Sequence, residues 1–248
     1  MINHFYAFTF IFGIVYNLYK LNYINYTYEI IYGGIIGYYL GGFISALIHW
    51  FLDSYNFKIL EHLHKSFRNH HENPTYMLEK TNLEVFTQFT IISFPFFFFL
   101  EYTNNQLILS TIIIALLIGI SSQLIHKYSH LRNHQNDKDE NGNYLYPRIN
   151  FIIKKLQDYS IILHPKDHSD HHEKEIINYS VAHSNSDKLF EYFIIDILGF
   201  RSSYYYNNNN ILVPLYQDRY KYIKRRTLYD IIKEQKILII SSILYFFL

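Results

Sequence analysis

The sequence predicts an all-α fold: an integral-membrane helical bundle of about four transmembrane helices, with a cytosolic histidine-rich helical cap. Three observations predict it. Four apolar stretches have the length of helices that lie in or cross a bilayer. Thirteen of the fourteen histidines fall between His49 and His183, many of them at the ends of these stretches or just beyond. There is no cysteine, which excludes disulfides, zinc ribbons, iron–sulfur clusters and thiolate nucleophiles.

The first stretch runs from Phe5 to Leu21 and is interrupted only by Asn17 and Lys20 near its end. No basic region precedes it and no small-residue cleavage site follows, so it reads as a retained helix. The second, Ile30 to Trp50, contains Gly33, Gly34, Gly37, Gly41 and Gly42, small residues that permit close helix packing. The third, Phe86 to Leu100, includes the run Phe94 to Phe99 and reaches spanning length only if it begins near Leu83. The fourth, Leu107 to Ile125, carries no charge in nineteen residues. A crossing helix needs about 20 apolar residues, within roughly 17 to 25. The second and fourth meet that length directly.

The remainder is polar. His134 to Pro147 reads as a turn-rich loop, and Ser202 to Asn210 as a low-complexity, mobile loop. Tyr220 to Arg226 is basic and suits anionic headgroups. Ile237 to Leu248 is too short to span and reads as an interfacial or core helix. Residues 1–43 therefore hold most of an N-terminal transmembrane hairpin. Residues 44–200 hold the histidines and a second hairpin, and residues 201–248 form a C-terminal extension.

Two hairpins bring the ends of the second and fourth stretches to one membrane face. His49, His70, His71 and His126 then share that face, and the segment around His168 reaches it without another crossing. Lys58, Lys65, Arg68, Lys127, Arg132 and the basic C-terminal third lie there too, while the opposite side keeps Lys20. The positive-inside rule places the histidines in the cytosol. A formal net charge of +1 supplies no basic field for nucleic acid.

The histidine clusters have ligand spacing. His126 and His130 are four apart, and His168, His171 and His172 repeat that geometry, so each set lies on one helix face. His70 and His71 are adjacent and point about 100° apart on a helix, so they can serve two different ions. Asp53, four after His49, can stand behind that imidazole and accept its other N–H. Asp167, Asp170 and Glu72 are further carboxylates of that kind. Imidazole suits zinc, copper, iron and nickel. A catalytic zinc needs only three protein ligands, so eight histidines overshoot one zinc, and a pair of irons fits the number.

The motifs His49-Trp50 with Asp53, Phe67-Arg68-Asn69-His70-His71 with Pro74, and Gln123 to His130 occur in order along the chain. Leu156-Gln157-Asp158, His168-Ser169-Asp170-His171-His172 and Asn178-Tyr179 follow. From about Ile44 to Leu189 the sequence resembles the lipid desaturase domain of the Kua family, which includes plasmanylethanolamine desaturases. The resemblance implies iron ligation by His49, His70, His71, His126, His130, His168, His171 and His172. It implies two non-haem irons that activate O2 and remove two hydrogens from adjacent carbons of a membrane lipid chain. The product is a plasmalogen vinyl ether or an acyl double bond. Two electrons come from a separate carrier: cytochrome b5 in an endoplasmic reticulum protein, the location the resemblance favours, or ferredoxin in a plastid one. This chain has no nucleotide fingerprint and no haem or iron–sulfur ligation pattern of its own.

The chain departs from the family pattern in three places. Lys80-Thr81 stands where the family has His-Asp, Asp167 precedes His168 in place of a histidine, and Ser160 occupies another position that is often histidine. His62, His64, His134, His164 and His183 are additional, and one of them could replace the missing histidine. A di-iron lipid hydroxylase shares the first hydrogen abstraction with a desaturase. A catalytically inactive lipid-binding relative is motivated by the departures at Lys80 and Asp167. A histidine-rich metal transporter needs ligands within the spans.

Overall fold

The computed structural model describes residues 2–22, 25–54, 61–174, 177–193, 204–206 and 212–214. Its body is helical. The two longest helices are α2 (Thr27–Ser54) and α7 (Gln106–His134). They are long and apolar enough to cross a membrane, over Thr27–Asp53 and Gln106–His134. Asn105 caps α7, its side chain accepting from the Ile108 backbone N–H.

These two helices run parallel and in close contact. A Cβ at Gly33 would meet the Leu107 carbonyl at 2.6 Å, and one at Gly41 would meet the Ala115 carbonyl at 2.8 Å. One at Gly37 would collide with the Thr111 carbonyl. Glycine at every fourth position thus lets the α7 backbone lie directly on α2. Parallel packing brings the C-terminal ends of both helices, with His49 and His126, to the same place.

The other two passes differ from expectation. Helix α1 (Ile2–Tyr19) returns alongside as an 18-residue helix, but Asn3, His4 and Asn17 dilute its apolar character. The third stretch is not one helix. It divides into α5 (Asn82–Thr87), a 3₁₀ turn (Thr90–Ser93) and α6 (Phe94–Tyr102). Hydroxyls break it: Thr90 Oγ1 donates to the Thr87 carbonyl at 3.0 Å, and Ser93 Oγ to the Thr90 carbonyl at 2.6 Å. Pro95 then starts α6, where its missing N–H costs nothing. Among the described residues, two helices are therefore long and apolar enough to cross a membrane, flanked by a shorter helix and a broken one, and the expected bundle of about four crossing helices is not confirmed.

Both flanking passes still traverse the bundle. Lys20 Nζ donates to the Leu100 carbonyl at 2.7 Å, and the Asn22 N–H to Gln106 Oε1 at 2.9 Å, at the end away from the histidines. Phe10 fills the space between them, against Phe86 and Phe97. The outer faces of α1 and α6 expose Phe5, Phe8, Phe12, Phe98 and Phe99.

The cap comprises α3 (Glu61–Glu72), α4 (Tyr76–Glu79), α8 (Phe151–Asp158), α9 (Pro165–Lys174) and α10 (Asn185–Phe190). Helix α8 is fixed to the end of α7 by Arg132, which donates to Asp158 Oδ1 at 2.5 Å and to the Lys154 carbonyl at 3.2 Å. Helix α10 sits on the middle of α2. There His183 stacks on the Tyr38 ring at 3.8 Å, and a Cβ at Gly42 would meet His183 Nε2 at 2.5 Å. The loop after α7 turns at Gly142, with φ of 82°, while Asp139 Oδ1 accepts from the Asn141 and Asn143 N–H groups.

One further element departs from an all-α chain. Tyr204–Tyr206 pairs antiparallel with Leu212–Pro214, so the expected loop Ser202 to Asn210 contains a short strand. Three consecutive tyrosines have high strand propensity, which composition alone conceals. The rest of that loop, the basic segment Tyr220 to Arg226 and the apolar segment Ile237 to Leu248 lie outside the described residues.

Candidate metal centre

The eight predicted histidines and Asp53 come together where α2, α3, α7 and α9 meet. They form two adjoining sets. His70, His126, His130, His168 and His172 make one; His49, Asp53, His71 and His171 make the other. Within each set the ligand atoms lie within 4.8 Å of one another. Seven of the nine residues are buried, with His71 and His172 half-buried.

Helix geometry explains the sorting. His126 and His130, and His168 and His172, are one turn apart and face the same point. Adjacent residues diverge: His70 joins the first set and His71 the second, and His172 and His171 divide in the same way. The sets touch where the His71 and His172 ring centroids are 4.7 Å apart.

The imidazoles of the first set converge on their Nε2 atoms. His126 and His130 each lie 2.8 Å from His168 by Nε2, His126 and His130 are 3.2 Å apart, and His172 and His168 3.0 Å. Metal–nitrogen bonds of about 2.1 Å at right angles place ligand atoms about 3.0 Å apart, so this spacing is that of a coordination shell. Burial, followed by the neighbouring imidazoles, holds His70, His168 and His172 below the ordinary histidine range. They are therefore neutral, as ligation requires.

The second set closes around a carboxylate. Asp53 Oδ2 lies 3.2 Å from His49 Nε2, 3.2 Å from His71 Nε2 and 3.5 Å from His171 Nε2. Yet His49 Nε2, His171 Nε2 and Asp53 Oδ1 are buried without a hydrogen-bond partner. His71 Nε2 hydrogen-bonds Asp53 Oδ2, whereas His49 Nε2 and His171 Nε2 lie close to that oxygen without bonding it, an arrangement that could hold a cation. Sequence reasoning set Asp53 behind His49; its Oδ2 lies among the Nε2 atoms of His49, His71 and His171.

Backbone carbonyls back two of these imidazoles. His49 Nδ1 bonds the Tyr179 carbonyl at 2.9 Å, and His171 Nδ1 the Ile177 carbonyl at 2.7 Å. Each carbonyl accepts from Nδ1–H, which leaves the Nε2 lone pair free. The Asn178-Tyr179 motif supplies the first of them, and Ile177 just before it the second. Asn178 has a positive φ of 57°, and its side chain donates to the Asp167 carbonyl at 3.0 Å. Asp167 Oδ2 in turn accepts from Ser184 Oγ at 2.5 Å. No residue letter signals a carbonyl partner, so sequence reasoning missed it.

Among the described residues, the remaining histidines belong to neither set. His64 Nδ1 bonds the Leu52 carbonyl at 2.5 Å, and His134 Nδ1 pairs with Asp137 Oδ2 at 2.8 Å. His164 accepts from the Lys166 N–H at 3.2 Å and so caps α9. His183 holds α10 to α2, and the His62 side chain lies outside the described residues. Lys80 belongs to neither set: its Nζ lies over the Tyr76 ring at 4.4 Å, and its carbonyl accepts from Lys127 Nζ.

Nine converging donors of nitrogen and oxygen, with no sulfur, suit imidazole-binding transition metals, iron among them. Nothing among curated proteins or solved structures matches the chain. A family model, the lipid desaturase domain, matches residues 38–195, and the match takes in both ligand sets. On that match, and with the histidine clusters in place, the chain belongs to the lipid desaturase family.

Proposed function

We propose that this protein is a di-iron, O2-dependent desaturase that introduces a double bond into a hydrocarbon chain of a membrane lipid. The branch we favour is the Kua type, making the vinyl ether of a plasmalogen, with an acyl double bond as the other product of the same chemistry. One observation carries the reading: two adjoining sets of buried, mutually facing ligand atoms sit at the shared end of two apolar helices. Hydrolysis has no purchase on a saturated hydrocarbon chain, which yields only to strong oxidation.

When bound, two irons would supply O2 activation strong enough to take hydrogen from unactivated carbon. His70, His126, His130, His168 and His172 would hold one ion, and His49, Asp53, His71 and His171 the other. The Tyr179 and Ile177 carbonyls keep Nε2 of His49 and His171 aimed at the centre. Burial of the set excludes bulk water, which protects the oxidising chemistry from side reactions. Electrons come from a separate donor, cytochrome b5 in the endoplasmic reticulum, with the centre facing the cytosol.

Elemental analysis and lipid profiling test this. Purified protein should hold close to two irons per chain, and cells expressing it with a competent donor should gain vinyl ethers or new acyl double bonds. A His171→Ala variant should insert in the membrane and make no product. Zinc alone in the protein would sink the reading. Hydroxylated lipid would replace desaturation by hydroxylation, and two irons with unchanged lipids would leave a metal-binding but inactive relative.

A further inference from the structure

Between α2 and α7 lies a cavity of about 130 Å³, walled by Ile44, Ile48, Leu116, Gly119, Ile120 and Gln123 among others. No residue lining it is charged. Its upper end adjoins the metal centre, since Ile48 precedes His49 and Gln123 lies one turn before His126. Its lower end is at Leu40 and Ile112. At about 1.5 Å per residue, the wall from Ile112 to Gln123 is about 16 Å long. The polar lining residues Ser45, Ser122 and Gln123 lie toward the histidine end, and the far end is wholly apolar.

Gly119 in this wall has no packing reason to be glycine. Added Cβ atoms at Gly33, Gly37 and Gly41 would run into the backbone of α7. An added Cβ at Gly119 would meet only the Gly41 carbonyl, at 3.9 Å, an ordinary contact. Glycine also costs about 1 kcal/mol against alanine in a helix interior. What its small size does here is leave the cavity open.

We infer that Gly119 is a specificity-determining residue: it gauges a groove that takes one unbranched hydrocarbon chain of a membrane lipid, lying along α7 with its methyl end toward Ile112. Two observations select that occupant. The uncharged wall matches an uncharged chain, and the groove runs along two apolar helices to within about one helical turn of His49 and His126. The direction of the chain rests on the desaturase reading; occupancy of the groove does not.

The test uses the full-length protein in nanodiscs with a long-chain fatty acid bearing a photoactivatable diazirine near its methyl end. In the wild type the label should map to α7 between Ile112 and Gln123. Gly119→Leu, whose side chain enters the groove, should reduce that label by about tenfold, as losing contact with roughly two methylenes does. Gly119→Ala should reduce it less, and covers the case in which the leucine variant does not fold. In expressing cells, Gly119→Leu should shift product toward shorter chains with iron content unchanged. Equal labelling in wild type and both variants would overturn the inference, as would an unshifted product profile. Labelling as expected without lipid product means that the groove stands and the chemistry fails. Product with unaltered chain lengths means the reverse.

Discussion

Asp53 carries the only negative charge among the nine candidate ligands. Asp53→Asn keeps its shape and removes that charge. If the oxygen ligates, iron content should fall from two toward one per chain, with affinity at the second set down by more than about 100-fold. Residues that only back a ligand cost about 10- to 100-fold, so a smaller loss would return Asp53 to that role. Elemental analysis at graded iron concentrations reads the difference. His183 makes a separate prediction, because it is buried outside both sets and burial lowers it to about 4. An unfolded histidine takes its proton near the ordinary value of about 6.5. The stability contributed by neutral His183 is therefore present above about pH 6.5 and lost as pH falls toward 4, by roughly 3 kcal/mol in full. Metal-free His183→Gln should thus lose less thermal stability than metal-free wild type between about pH 7 and about pH 5. Equal losses would assign the acid sensitivity to other groups.

Helix α2 reads the same in sequence and structure because its packing is written in side-chain size. Glycine at every fourth position announces a close partner, and α7 is that partner. Gly41→Leu should accordingly destabilise the protein by about 2 kcal/mol or more through overpacking. Gly34, with nothing within 4 Å of an added Cβ, should accept alanine with stability unchanged or raised by up to about 1 kcal/mol. Thermal melting in detergent compares the two. The pairs His126/His130 and His168/His172 were legible for a related reason: one helical turn fixes which rings face one point. Legibility failed where hydropathy hides geometry. The stretch from Phe86 to Leu100 counts as apolar, yet Thr90, Ser93 and Pro95 redirect its backbone. The role of Asp53 was only half legible, because i,i+4 spacing puts it beside His49 without saying which atom faces the centre. Tyr179 and Ile177 act through carbonyls that every residue possesses.

At the level of the whole chain, the absence of cysteine turns topology into a measurement. Asn104 is exposed in the turn between α6 and α7, and Asn143 in the loop after α7. Single replacements Asn104→Cys and Asn143→Cys should react with an impermeant thiol reagent from opposite sides of a sealed membrane, Asn143→Cys from the cytosolic side. Labelling from one side would contradict α7 as a crossing helix. The inequality of the two ligand sets bears on how such a centre is filled. Five neutral imidazoles leave a divalent ion with its whole charge, whereas three imidazoles and a carboxylate offset part of it. If both sets hold ions as proposed, the carboxylate set would load first, and the second ion would arrive against the charge of the first. Loading and loss become ordered events: a chelator should strip the centre in two kinetic phases, emptying the five-histidine position first.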